Sequence, residues 1–251
     1  MQIKPFTAGQ YRYLPAGFQY SAGVVAEPGY GIERARFSRP VPLAEGFQRI
    51  QAHLASLGRP SEALCACELR SPAVMSEPVF IAFNKEYVKY LAQMGLYEEG
   101  VNPVARCNLI PAVLPPAEPS LYAFSYTVPL DASSAVPDFV TSGAAECPDR
   151  PGYQDSIVRL GETSPDALGD KLRFALGDLE SRFALMGVSW RDVTDMNLYT
   201  VHDLHHLLEQ ELVSRQAIQG GLCLHWVRPP VLDIEIEIDA RKLSRTRLLP
   251  A

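Results

Sequence analysis

Phe18-Gln19-Tyr20-Ser21-Ala22-Gly23 resembles Asp138-Phe139-Val140-Thr141-Ser142-Gly143, and reading outward from the two stretches uncovers one order of patterns written twice. An apolar stretch, a polar loop and an amphipathic helical pattern follow each. Leu43, Phe47, Ile50, Leu54 and Leu57 recur at helical spacing and stop at Gly58; Leu168, Leu172, Leu176, Leu179, Phe183 and Met186 do the same and stop at Gly187. A glycine there supplies the left-handed conformation that ends a helix. Both glycines lead through a short polar turn into a predicted strand, Leu64 to Leu69 and Val193 to Tyr199. A second helical pattern comes next, marked by Phe80, Phe83, Tyr87 and Leu91 in the first half and by Leu204, Leu208 and Leu212 in the second. Each half then has a Pro-Pro pair, Pro115-Pro116 and Pro229-Pro230, followed by an alternating strand at 121–126 or 234–239.

Helices that alternate with strands and carry one apolar stripe gather on one face of a sheet, so the predicted class is α+β. Two similar units in tandem are expected, each a mixed sheet with two helices on one face. Residues 1–128 form the first and 138–251 the second. The Pro/Asp/Ser-rich stretch 129–137 joins them.

Composition sets limits on function. The chain has 251 residues, 47% hydrophobic and 21% charged, as expected of a globular protein. A formal charge of −6 with no Lys/Arg cluster argues against nucleic acid, whose phosphates need a basic stripe. It argues equally against a membrane surface, and no apolar run approaches a membrane span. Met1-Gln2-Ile3-Lys4-Pro5 lacks the apolar core of a secretory signal, so a cytoplasmic location is expected. Five cysteines without a Cys-x-x-Cys pair read as buried thiols in a reducing compartment.

The second half runs from a Thr-Ser-Gly strand end through a Gly-terminated helix to Asn197-Leu198-Tyr199-Thr200-Val201-His202-Asp203. It closes with Arg228-Pro229-Pro230 and Ile234-Glu235-Ile236-Glu237-Ile238. The first half has Phe83-Asn84-x-x-Tyr87, Asn102-Pro103-Val104-Ala105-Arg106-Cys107 and Leu114-Pro115. In this order and spacing the motifs resemble the Rid superfamily, the reactive intermediate deaminases also called YjgF or endoribonuclease L-PSP-like proteins. The resemblance covers nearly the whole chain. It implies a chorismate-mutase-like fold, a homo-oligomer (a trimer before a dimer) with sites between units, and hydrolysis of enamines or imines to carbonyl compounds and ammonia without a cofactor.

Carried over residue by residue, the family's carboxylate-binding Arg falls at Arg106 and its catalytic Glu at Glu235, or at Glu237 if the register slips by two. Asn84, Ser142, Gly143, Tyr11 and Cys107 complete the expected substrate contacts. Counting back from the Pro-Pro pair, the second-half counterpart of Arg106 is Gly220; the first-half strand at 121–126 has no carboxylate. One complete site, Arg from one half and Glu from the other, is therefore expected. The chemistry is coherent. A guanidinium fork binds carboxylate bidentately, and a protonated imine carbon is electrophilic enough for positioning and one acid–base group to suffice.

Each residue also has a plainer reading. Arg106 could serve a salt bridge, Glu235 the wet face of a strand, Asn84 a helix pin and Cys107 a pocket wall. His202-Asp203-Leu204-His205-His206 superficially resembles a zinc-protease motif, but it lies where a strand hands over to a helix, and Asp203 reads better as a cap; no metal site is expected. The substrate that fits a tandem chain with one degenerate half is a small carboxylated enamine of the 2-aminomuconate type, halogenated or not, which makes the protein a hydrolase of C–N bonds in aromatic catabolism. The alternatives are a general 2-aminoacrylate deaminase, a non-catalytic ligand-binding member of the family, or a ribonuclease, the last disfavoured by the acidic charge.

Overall fold

The computed structural model describes residues 2–131 and 135–250, so positions 132–134 of the expected linker lie outside the described residues. The architecture is α+β, a mixed sheet with helices packed on it. The chain opens with β1 (Lys4–Phe6), β2 (Tyr11–Leu14) and β3 (Gly23–Ala26), then continues through β4 (Tyr30–Pro42), α1 (Leu43–Ser56), β5 (Leu64–Arg70), α2 (Glu77–Gln93), β6 (Ala105–Pro111) and β7 (Ser120–Pro129). Beyond the linker come β8 (Phe139–Thr141), β9 (Ala144–Ala145), α3 (Pro165–Met186), β10 (Asp195–Thr200), β11 (Leu222–Arg228), β12 (Glu237–Lys242) and β13 (Arg245–Leu249).

One pairing scheme occurs twice. β5 runs parallel to β6 and antiparallel to β7; β10 runs parallel to β11 and antiparallel to β12. Each set buries one face under helices: Phe47, Ile50, Leu54, Tyr87 and Leu91 in the first half, and the α3 stripe Leu168, Leu172, Leu176, Leu179 and Phe183 in the second. Burial of each such side chain stabilises by roughly 1.5–3 kcal/mol, so these stripes fix the helices where periodicity placed them. Local signals agree. The Ser164 hydroxyl accepts the Ala167 N–H ahead of Pro165, and Gly187 closes α3 at φ +74°.

The second helical pattern of the second half does not form an α-helix. His205–Leu207 is a 3-10 turn and Leu208–Val213 a π-helical turn. The buried leucines explain it: Leu204, Leu207 and Leu212 reach the core, spaced by three and then five, which suits a tight turn followed by a wide one.

The sheet is continuous across the expected boundary. β3 pairs with β8, with Gly23 opposite Thr141, so the two stretches that resemble each other in sequence are hydrogen-bonded side by side. At the other end β13 pairs in parallel with β4. β6 and β11 are paired over a short register, Val227 with Pro111 and Arg228 with Ile110. Where the halves face each other, the buried Arg241 guanidinium spans Glu68 (2.6 Å) and Asp239 (2.7 Å), and Arg34 forks onto Glu68. Burial raises the Glu68 pKa, but these guanidiniums outweigh it and hold the carboxyl ionised. Such buried pairs add little net stability, because desolvation offsets attraction; what they supply is a fixed relation between the halves.

Candidate active site

Arg106 lies on β6 and is 4% exposed. Its backbone N–H donates to the Ser142 hydroxyl at 2.8 Å, and that hydroxyl donates to the Ser21 carbonyl, which ties β6 to both repeated stretches. Asn84 on α2 accepts a hydrogen bond from Arg106 Nη1 at 2.6 Å. The guanidinium is caged by aromatic rings, with Tyr87 and Tyr20 centred at 4.9 and 5.0 Å and Phe80 at 5.6 Å. Among the described residues no carboxylate pairs with it. A buried cation costs on the order of several kcal/mol to desolvate, and a guanidinium held this way has the charge and the donors to take a carboxylate.

The cavity beside it is also lined by Glu237, which is 7% exposed and has no side-chain hydrogen bond among the described residues. Burial, and next the charge of Asp239, push the Glu237 carboxyl up to about 8, against the pull of Arg106, Arg70 and Arg182. Such a shift favours the protonated carboxyl at neutral pH. Gly143 makes room for it: a Cβ at Gly143 would overlap the Glu237 carboxyl. An adjoining hollow of about 50 Å³ shares Glu237, Tyr20 and Phe80 with that cavity and is lined also by Cys147, Asp149, Tyr153 and Arg182. A second, more apolar hollow runs over Phe80 to Asn84 and Phe18. Arg182, from α3, donates to the Ser142 carbonyl at 2.9 Å and pairs with Asp178.

Of the residues expected at the site, the structure brings Arg106, Asn84 and Gly143 together, with Ser142 acting on the backbone beneath them. Glu235 does not join them. Its carboxylate meets His202 at 2.7 Å and Arg228 at 3.8 Å, and the two-residue slip puts Glu237 at the cavity instead. The cause is Glu146, whose carboxylate accepts the N–H groups of Glu235 and Ile236 at 2.6 and 3.0 Å, so that β12 begins only at Glu237. Tyr11 is also elsewhere: fully buried, it donates to the Leu64 carbonyl at 3.0 Å, and Tyr20 supplies the ring over Arg106. Cys107 points away from its neighbour Arg106, as alternation along a strand requires, and packs with Leu109, Tyr199 and Val227.

Sequence reading missed Tyr20, Asp149, Phe80, Tyr153 and Arg182 as site residues. Tyr20 left a signal, since it replaces Val140 within the repeated stretch. Asp149 left none, because it lies in the loop Cys147–Pro151, where no periodicity operates. The histidine run disperses: His202 binds Glu235, and Asp203 accepts the His205 N–H. Among the described residues no group of three His, Cys, Asp or Glu could hold a metal ion, and no helix is long and apolar enough to cross a membrane.

Comparison with known proteins adds to this geometry. A family model described as 2-aminomuconate deaminase CnbZ matches residues 3–247. The 2-amino-5-chloromuconate deaminase of Comamonas testosteroni is 46% identical over 247 residues, 97% of this chain and 98% of that protein. A chorismatase crystal structure shares the fold at 11% identity, with a TM-score of 0.54 over 88% of this chain and 77% of its own. The YjgF gene product of E. coli matches 45% of this chain and 84% of its own at 17% identity, with a TM-score of 0.31.

Proposed function

The chain belongs to the CnbZ 2-aminomuconate deaminase family, and from that premise we propose that it is a hydrolase of C–N bonds that converts 2-aminomuconate, or its 5-chloro counterpart, to the corresponding 2-hydroxymuconate/oxalocrotonate, chlorinated where the substrate is, and ammonia. Such a step belongs to the catabolism of nitro- or chloroaromatic compounds and suits a cytoplasmic enzyme. The observation that carries the reading is the pairing, in one cavity, of a caged guanidinium with no carboxylate partner and a buried carboxyl that keeps its proton.

In this reading the carboxylate next to the amine-bearing carbon takes the free edge of Arg106, which Asn84 holds in place. The substrate's enamine carbon then accepts the Glu237 proton, giving an iminium that water attacks. No metal is required, because the iminium carbon is already electrophilic. The apolar hollow over Phe80 would receive the rest of the carbon chain. Arg106 and Glu237 meet without help from a second chain. Self-association, expected of the family, has a surface to use in the exposed Leu224 and Trp226 of β11 and Val113 and Leu114 beside them.

The test is ammonia release by chelator-treated protein from freshly generated 2-aminomuconate, 2-aminoacrylate and a neutral imine. Turnover of the first above the other two is expected. Tight binding of the dicarboxylate without turnover would make the protein a binding module, and preference for the neutral imine would remove Arg106 from recognition.

A further inference from the structure

Deamination by hydrolysis moves more than one proton. One goes to carbon to make the iminium, one leaves the attacking water, and one must reach the departing nitrogen. Glu237, protonated and buried, accounts for the first of these alone. The cavity wall holds a second carboxyl. Asp149 lies across the same hollow, in the loop between β9 and α3. The Tyr20 hydroxyl donates to Asp149 Oδ1 at 2.7 Å, while Oδ2 is buried and has no hydrogen-bond partner among the described residues. A buried acceptor without a partner is costly, and native structures keep one where a ligand or a working water completes it. The hollow of about 50 Å³ has room for such a water. Tyr20 also presents its ring to Arg106 at 5.0 Å, so one side chain fixes both the carboxylate clamp and Asp149.

We propose that Asp149, held by Tyr20, is a second catalytic residue: the base that activates the attacking water and the acid that releases ammonia. The inference rests on the deaminase reading above. Its steps balance as follows. Glu237 gives its proton to the enamine carbon. Asp149 Oδ2 takes a proton from water as the new C–O bond forms and the C=N electron pair moves to nitrogen. Asp149 returns that proton to the carbinolamine nitrogen, the C–N bond breaks, and ammonia leaves. The carbinol O–H proton goes to Glu237, which restores the starting state.

The groups facing Asp149 are Arg182 and Asp178 from α3, Arg106 from β6, Glu237 from β12, and the Tyr20, Tyr153 and Cys147 side chains. Burial raises its pKa most, and the Tyr20 hydrogen bond, Arg182 and Arg106 draw it back down.

The test compares wild type, Asp149→Asn and Tyr20→Phe on 2-aminomuconate, following ammonia release and, separately, deuterium uptake at carbon from D2O. Wild type without turnover would overturn the deaminase reading itself. With an active wild type, Asp149→Asn is expected to lose about 10²-fold or more in kcat, with KM within a few-fold, while enzyme-dependent deuterium uptake continues, because Glu237 still protonates carbon. Tyr20→Phe keeps the ring over Arg106 but removes the hydrogen bond, so the acidic limb of the kcat–pH profile should move up by roughly one unit. Unchanged kcat in Asp149→Asn would overturn the proposal. So would loss of deuterium uptake together with ammonia release, or an unmoved acidic limb in Tyr20→Phe, since either outcome describes a merely structural residue.

Discussion

The two halves share a pairing scheme but differ in the side chains they bring to the cavity. The same spacing separates Gly58 from Gly187, Ser61 from Trp190 and Cys67 from Met196. Arg106 sits opposite Cys67, and Leu222 sits opposite Met196, so the counterpart of the guanidinium is Leu222, two residues beyond the Gly220 that counting from the Pro-Pro pairs selects. The helix that brings Asn84 to Arg106 has become a 3-10 and a π turn in the second half. Conversely, Glu237 pairs with Tyr199, and at the matching place in the first half Ser120 pairs with Arg70. Each half thus has a residue at its register position that the other lacks. Arg106 and Glu237 line one cavity, and the proposed function rests on that meeting.

That division can be tested by removing each half's contribution in turn. Glu237→Gln should cost the most, about 10²–10⁴-fold in kcat, the usual scale for a lost general acid. Its pH behaviour should change in two ways. The wild-type rate should fall as pH rises past about 8, where the folded-state carboxyl ionises. Wild-type stability should also decline as pH climbs from about 4.5 toward about 8, because a carboxyl whose pKa is raised by folding favours the native state only while the unfolded chain is protonated too. In Glu237→Gln that slope should flatten, as read by thermal melts across the range.

Removing the fork from the first half should cost less. Arg106→Lys keeps the charge but loses the bidentate geometry, and a loss of about 10–100-fold in kcat/KM is expected, mostly through KM, since a charged hydrogen bond contributes roughly 1.5–3 kcal/mol. Unchanged kinetics would sink the clamp. The smallest effect should come from adding to the second half. Leu222→Arg restores the missing residue type, yet without a helix bearing an Asn84 equivalent it should create no second activity. A melting temperature lower by a few degrees is the expected result, because a charge would then lie against the core that Leu222 packs on.

Sequence reading reached the fold because its signals were local and repeated: glycine stops, helical stripes and Pro-Pro pairs recur in both halves. It named Arg106, Asn84 and Gly143, which the structure brings together, because they lie within ordered motifs. It stalled at Glu235 because Glu235 and Glu237 have the same parity along the strand, so alternation cannot choose between them. The choice is made by Glu146, some ninety residues upstream in sequence. Tyr11 failed for a related reason: several aromatics precede Gly23, and only the tertiary arrangement shows that Tyr20 faces the guanidinium. The Leu204, Leu208 and Leu212 pattern promised a helix on intervals of four, while the core selects Leu204, Leu207 and Leu212. Asp149 stayed hidden because a loop residue's role depends on what the fold brings near it.

The interleaved sheet has a consequence for how such a chain can change over evolutionary time. Its first strands complete the second half through β3 and β8, and β13 completes the first half against β4, a pairing across most of the chain length. Contacts that distant in sequence form late and slowly, and neither half is a finished fold without its sibling. The repeats are thus no longer interchangeable cassettes, because recombination that swapped one alone would leave two sheets with missing margins. Bound together in this way, neither half has to be complete by itself, which is the condition under which one can do without an arginine or a glutamate that the other supplies.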